Sequence, residues 1–302
     1  MRALGYLLIF NTLAWSQLPE SGQRPARLLI RNAMIVEGNA TPAFGPADVT
    51  IEGDTITSVS NARPQQPNPA ATAVIDARGR YLLPGFINAH AHLHDERAGL
   101  AQPWEYQLKT WLACGITTVR DVGSDYSKTS RLRELSRKNE IVAPRIFLYA
   151  VWSTPPVPQT PEQARARVRE IKQKGADGLK FFSIYRDLME PMLDEARKVG
   201  LRSAHHAAIA ETNAWDDARY GTTTIEHWYG IPDAALPSGV QAFPADFNVT
   251  KETDRFRYAG RLWREADPQK LSAVLDALVK ANVAWVPTLN IYEASRDLER
   301  YQ

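Results

Sequence analysis

Leu82-Leu83-Pro84-Gly85-Phe86-Ile87-Asn88-Ala89-His90-Ala91-His92-Leu93-His94 is the stretch on which the reading of this chain turns. An apolar segment leads into two histidines spaced by two. In a strand, residues two apart face the same side, so both imidazoles can reach one point. The 302-residue chain holds 6 His, and all of them fall in three short segments. The other two segments are Ser203-Ala204-His205-His206-Ala207 and Thr223-Thr224-Ile225-Glu226-His227. Neutral imidazole is the commonest protein ligand for a transition metal. The segments lie far apart in sequence, so a metal site requires a fold that gathers them.

From residue 86 the chain alternates strand and helix. Strand patterns occur at 86–89, 117–120, 145–151, 178–182, 202–205, 222–226 and 283–289. The clearest helix covers 161–174: Thr160 is its N-cap, Pro161 takes the first position, Gln163 completes a capping box and Gly175 ends it. Further helices are expected over 187–199, before Gly200, and over 268–281. Seven such units in a row imply an α/β fold with a parallel sheet curled into a barrel. Reactive residues of a parallel barrel project from the C-terminal ends of its strands. His90, His92, His206 and His227 all sit at such ends.

Lys180 lies within a strand pattern, between Leu179 and Phe181, where a bare ammonium is costly. Burial lowers a lysine pKa. A neutral amine can add carbon dioxide and become an anionic carbamate able to bridge two metals. A lysine salt-bridged across the barrel mouth is the other reading. The βα rhythm lapses over 231–258, which reads as a lid, a substrate wall or a surface insertion. Trp152, Trp228, Tyr229 and Tyr292 are candidates to line a substrate pocket, or simply to pack at strand ends.

The N-terminal part is different. Residues 28–60 read as short strands, with a tight turn at Gly53-Asp54. A proline-rich loop over 62–73 and strand material at 74–76 and 81–83 complete a small β unit, 28–85. Arg2, the apolar run 3–14 and the small residues of Ala14-Trp15-Ser16 read as an export signal over 1–16, cleaved or kept as an anchor. That run is too short for a transmembrane span. Residues 17–27 form a polar lead-in, and the expected location is periplasmic or extracellular. Hydrophobic residues at 44% and charged residues at 23% are ordinary globular values. A net charge of +2 without a basic stripe argues against nucleic acid. Cys114 stands alone, which excludes a disulfide framework and a cysteine-rich zinc site. Oligomeric state stays open, a homo-oligomer included.

Five motifs occur in order: Leu83-Pro84-Gly85-Phe86-Ile87-Asn88-Ala89-His90-Ala91-His92, Gly115-Ile116-Thr117-Thr118-Val119-Arg120-Asp121, Gly178-Leu179-Lys180, His206-Ala207 and Ile225-Glu226-His227. With them the chain resembles the amidohydrolase superfamily, in its imidazolonepropionase-like and prolidase-like branch, over residues 28–302. The resemblance implies an incomplete TIM-type barrel over 86–302, with about seven of eight strands. It implies that 28–85 is the N-terminal part of a β-sandwich subdomain.

By the same resemblance, His90 and His92 bind the more buried of two divalent metals. His206 and His227 bind the more exposed one, and carbamylated Lys180 bridges both. His206 rather than His205 fits the family spacing, six residues after Gly200. His94, His205 and Asp121 are implied as neighbours of the ligands, with Asp121 able to orient a ligand histidine. Zinc suits nitrogen and oxygen donors, with iron or manganese as alternatives. The implied activity is hydrolysis of a carbon–nitrogen bond in a small amide or dipeptide, through a hydroxide held between the metals. A prolidase-like dipeptidase is the specific expectation. Alternatives are a cyclic-amide hydrolase, a lactonase or an inactive metal-binding remnant. The family carries a catalytic aspartate at an eighth strand, for which residues up to Gln302 offer no candidate. The sequence is therefore expected to be a piece of a longer protein, unstable and nearly inactive by itself.

Overall fold

The computed structural model describes residues 24–62, 73–97, 99–207, 211–238, 244–248 and 251–300. The expected export signal at 1–16 and most of the proline-rich loop lie outside the described residues. The chain divides into two compact units, one of 1–84 with 138–142, the other of 85–137 with 143–302.

The first unit is a sheet of β1 (Arg27–Ile35), β2 (Phe44–Glu52), β3 (Thr55–Asn61), β4 (Ala73–Asp76) and β5 (Tyr81–Leu82). Its order is β3-β2-β1-β4, with β5 also paired to β1. β1, β2 and β3 pair antiparallel, whereas β4 and β5 run parallel to β1. Gly53, at φ +61°, makes the β2–β3 turn at the expected place. Ala33, Ile35, Ala47, Val49 and Ala77 form its small core.

The second unit begins with β6 (Phe86–Ala91), a short hairpin of β7 (Glu96–Arg97) and β8 (Leu100–Ala101), and α1 (Trp104–Ala113). There follow β9 (Ile116–Asp121), α2 (Tyr126–Arg137), β10 (Arg145–Val151), α3 (Pro161–Gln173), β11 (Gly178–Phe181) and α4 (Arg186–Lys198). Then come β12 (Arg202–His206), α5 (Ala214–Tyr220), β13 (Thr224–Glu226), α6 (Glu252–Glu265), α7 (Pro268–Lys280), β14 (Ala284–Val286) and α8 (Leu289–Arg300). The seven longer strands form one parallel sheet, ordered β14-β13-β12-β11-β10-β9-β6. This is the expected incomplete TIM-type barrel.

Local chemistry explains the boundaries. Thr160 accepts from the Gln163 backbone N–H at the start of α3, while the Gln163 side chain accepts from Gln159 N–H. Asn213 and Asp216 form a capping box on α5, and Asp267 caps α7. Between strands and helices the core packs Val168, Ile171, Leu179, Phe181, Met189, Met192 and Leu193. Each such side chain stabilises the fold by about 1.5–3 kcal/mol. Two motif glycines are steric necessities: a Cβ on Gly85 would lie 1.9 Å from Thr117 Oγ1, and one on Gly178 2.4 Å from the Tyr149 ring.

Two expectations fail here. The seventh strand stops at Val286 and Leu289 opens a helix, so the β-branched run does not carry the strand to 289. The lapse at 231–258 is also partly regular: a 3-10 turn covers Asp233–Ala235, and α6 starts at Glu252. Apolar spacing on α6 places Ala259 and Leu262 inward, a signal hidden by the surrounding prolines and aromatics.

Candidate metal centre

Strand register decides which side chains share a space. Phe181, His205 and Ile225 are register partners across β11, β12 and β13, and all three are fully buried. Lys180, Ala204 and Thr224 form the next row, and His206 pairs with Glu226 above it. Alternation therefore sends His205 to the opposite face from Lys180 and His206. A cavity of about 610 Å³ opens there, lined by His90, His92, His94, Lys180, His206 and His227 among others. Pairing of β6 with β9 is irregular between Asn88 and Ala91, the segment that carries His90. Such bulges re-aim side chains beside sites.

The deepest part of the site is a polar network. His90 Nδ1 lies 2.6 Å from Glu226 Oε2, and Arg120 Nη2 donates to Glu226 Oε1 at 2.6 Å. Thr224 Oγ1 also donates to Oε1, at 2.6 Å. Arg120 reaches back through Nε to the Ala89 carbonyl at 2.6 Å and through Nη1 to Thr224 Oγ1 at 2.9 Å. Burial alone would raise the Glu226 pKa. The His90 hydrogen bond, with Lys180 and Arg120 nearby, outweighs that and holds it at about 2. Glu226 is therefore an anion, and His90 must donate to it.

Lys180 is buried, and its Nζ has no hydrogen-bond partner. Burial pushes its pKa down to about 7, against the attraction of Glu226. Burial also lowers His90, His206 and His227, the last to about 2; Lys180 adds to the effect at all three, and the Glu226 hydrogen bond opposes it at His90. These imidazoles are neutral at pH 7, the form in which nitrogen ligates metal. His227 sits in a left-handed backbone conformation at φ 66° and meets Thr288 Oγ1 through Nδ1 at 2.8 Å. The Tyr292 hydroxyl lies 3.3 Å from the same nitrogen.

The remaining predicted residues divide. His94 lines the cavity and stacks on His92 at 5.6 Å. His205 lies outside the cavity lining, stacked on Phe181 with Nδ1 2.9 Å from Asp217. Asp121 accepts through Oδ1 from the Gly123 and Ser124 backbones, bracing the turn after β9, while its buried Oδ2 makes no hydrogen bond. The carboxylate hydrogen-bonded to a ligand candidate is Glu226, which is absent from the residues expected at the site. Its available signal was a carboxylate at a strand end, immediately before His227. Tyr292 lines the cavity. Trp152 does not, because it is buried in the core with its indole N–H on the Ala164 carbonyl. Tyr229 is buried 6.0 Å from the His206 ring, and Trp228 packs on Tyr292 at 4.7 Å.

Among the described residues no three His, Cys, Asp or Glu side chains form a ready cage for one ion. The donors come instead in pairs around Lys180. His90 Nε2 and His92 Nε2 lie 3.2 Å apart. Two nitrogens each about 2.1 Å from one tetrahedral zinc ion would sit roughly 3.4 Å apart. The His206 and His227 rings lie 4.2 Å apart. An orphaned Lys180 amine on the same cavity as two pairs of imidazoles fits a divalent metal by donor chemistry.

Residues 81–252 match the Amidohydrolase family, and the chain belongs to that family. A 101-residue stretch is 35% identical to adenine deaminase of Edwardsiella ictaluri, covering 32% of this chain and 15% of that enzyme. Over 203 residues the chain is 24% identical to adenine deaminase 1 of Latilactobacillus sakei, covering 63% of this chain and 32% of that enzyme. The chain thus spans a third or less of the length of these relatives. A Xaa-Pro dipeptidase structure with bound methionine superimposes with a TM-score of 0.60 at 18% identity, over 86% of this chain and 79% of that one. That likeness concerns the fold. Among the described residues no helix is long and apolar enough to cross a membrane.

Proposed function

We propose that the full-length protein is a divalent-metal-dependent hydrolase of carbon–nitrogen bonds in small molecules. The observation that carries this is the convergence of His90, His92, His206, His227 and the neutralisable Lys180 on one cavity at the C-terminal strand ends. A cavity of about 610 Å³ suits a small substrate. His90 and His92 would hold one ion, and His206 and His227 a second. Lys180 would bridge them after its amine attacks carbon dioxide, forming an N–C bond and releasing a proton. A divalent metal bound there supplies Lewis acidity and makes water acidic enough to ionise near neutral pH.

The chain's own groups have separate tasks. Glu226 Oε2 braces His90 at Nδ1, and Thr288 and Tyr292 hold the His227 ring. Trp111, Phe182 and Ile291 contribute apolar surface to the cavity wall. We assign the substrate to the prolidase-like dipeptides, a reading supported by the fold shared with a Xaa-Pro dipeptidase. The adenine deaminase relatives favour a second reading, removal of an exocyclic amine from a purine. Residues 1–16 would direct export.

The test is metal content and turnover of the full-length protein on Xaa-Pro dipeptides, adenine and a lactone. About two ions per chain, with turnover of the dipeptides alone, is the expected result. Turnover of adenine alone would replace the dipeptidase assignment. Absence of both bound metal and turnover would favour a non-catalytic protein.

A further inference from the structure

We propose that Glu226, buttressed by Arg120 and Thr224, is a positioning residue that keeps the His90 proton on Nδ1 and leaves the Nε2 lone pair facing His92. This rests on the metal-site reading above, and concerns which nitrogen of His90 is available to an ion.

The polarity of the network is forced. Arginine only donates, and a carboxylate only accepts. Arg120 donates to Glu226 Oε1 through Nη2 and to Thr224 Oγ1 through Nη1. The Thr224 hydroxyl, having accepted from Arg120, directs its own proton to Glu226 Oε1 at 2.6 Å, nearer than its other acceptor, the Ser203 carbonyl at 3.4 Å. Oε1 is thus committed to two donors, and Oε2 is left for His90 Nδ1. The ring must donate there, so its second nitrogen carries no proton. That nitrogen is the one 3.2 Å from His92 Nε2. Arg120 also ties the network to the Ala89 carbonyl, one residue before His90, so ring and carboxylate are held by the same strut. A carboxylate on the far nitrogen of a ligand histidine fixes its tautomer and raises its basicity.

The same polarity predicts an unusual outcome for Glu226→Gln. With Arg120 and Thr224 both donating, the amide oxygen must take the Oε1 place. The amide NH2 then faces His90 Nδ1 and donates to it, driving the ring proton to Nε2. A near-isosteric change would thereby block the ligand nitrogen. Removing the cationic donor as well, in Arg120→Met/Glu226→Gln, frees the amide to turn, with Thr224 able to accept. The double variant should recover the original tautomer. A role confined to fold stability predicts the reverse order, with the double variant worse than the single one.

The experiment uses full-length protein, metal-free, with 15N-labelled histidine, the His90 signals being assigned by loss in His90→Gln. Zinc affinity is measured on the same samples by competition with a chelator. We expect Nδ1–H in the wild type and Nε2–H in Glu226→Gln. Zinc should bind 10- to 100-fold more weakly to Glu226→Gln, and the double variant should recover most of that loss. Nε2–H in the wild type overturns the proposal, and that measurement stands even if the variants do not fold. So does a Glu226→Gln protein with unchanged tautomer and zinc affinity within twofold. A wild type that holds Nδ1–H yet binds no zinc would sink the metal reading and leave the positioning of His90 by Glu226 supported.

Discussion

His227 and Thr288 both have left-handed backbones, at φ 66° and 53°, and are joined by a hydrogen bond of 2.8 Å between Nδ1 and Oγ1. For a β-branched residue this conformation is a true outlier, and such strain costs on the order of 1–3 kcal/mol. The two strained positions lie on neighbouring strand ends and support each other at the cavity rim.

That pairing predicts the effect of Thr288→Val. Valine keeps the branch and the shape, so the backbone strain is unchanged and only the hydrogen bond goes. We expect a stability loss of about 1 kcal/mol and a loss of zinc affinity of about tenfold. Denaturant midpoints and chelator competition measure the two. Unchanged zinc affinity would mean that the Tyr292 hydroxyl alone holds the ring.

Lys180 predicts a pH dependence. In the unfolded chain its amine keeps its proton up to about 10.5, whereas in the fold burial pushes the pKa down to about 7. Between those values the unfolded state binds more protons, so stability rises with pH. The slope contributed approaches about 1.4 kcal/mol per pH unit. Below about pH 7 both states are protonated and the full cost of the buried charge is present. Urea unfolding of the metal-free protein from pH 7 to 10 should show this rise, and Lys180→Met should flatten it. Equal slopes in both proteins would refute the assignment.

Bridging by Lys180 has its own signature in metal content. Lys180→Ala should lower the full-length protein from about two ions per chain toward one, as read by elemental analysis. Two ions retained would remove the lysine from the ligand set.

Trp152 and Tyr292, both candidates for the pocket, should behave in opposite ways. Trp152 is core, so Trp152→Ala should cost about 3–5 kcal/mol by denaturant unfolding. Tyr292 lines the cavity and touches His227 through its hydroxyl. Tyr292→Phe should keep stability within about 1 kcal/mol while changing KM or kcat. A stable Trp152→Ala protein with altered KM would place the indole in the site after all.

Gly85→Ala tests the crowding beneath the histidine motif. A methyl 1.9 Å from Thr117 Oγ1 must displace β6 or β9. Overpacking of this kind costs about 1–3 kcal/mol, and circular dichroism melts would register it. An unshifted melting point would show that the two strands part freely.

The barrel rhythm was legible because alternation and capping are local. Pro161 after Thr160 and the glycines at 175 and 200 announce helix ends by their own backbone chemistry. The shared direction of His90 and His92 follows from the same period of two, whereas the choice of His206 over His205 rests on the family resemblance. The partners were not legible. Glu226 is 136 residues from His90, and the bond between them exists only after β13 and β6 share a barrel. Asp121 also ends a strand, but the turn after it engages its Oδ1, and no hydrogen bond joins it to a histidine. Trp152 ends a strand too, and nothing in its neighbours tells which layer takes its ring.

The buried pair of His205 and Asp217 makes no contact with the cavity, yet it guards what enters it. Two adjacent histidines make β12 ambiguous, since a slip of one residue would still turn an imidazole inward. The slipped strand would leave Asp217, fully buried and also bound by Thr222, without its ring. Removing one partner of a buried polar group costs about 1–3 kcal/mol, and a one-residue slip inverts every side chain of the strand. Asp217 thus works as a proofreader of strand alignment. It rejects the wrong histidine from behind the wall, before any ion is there to choose.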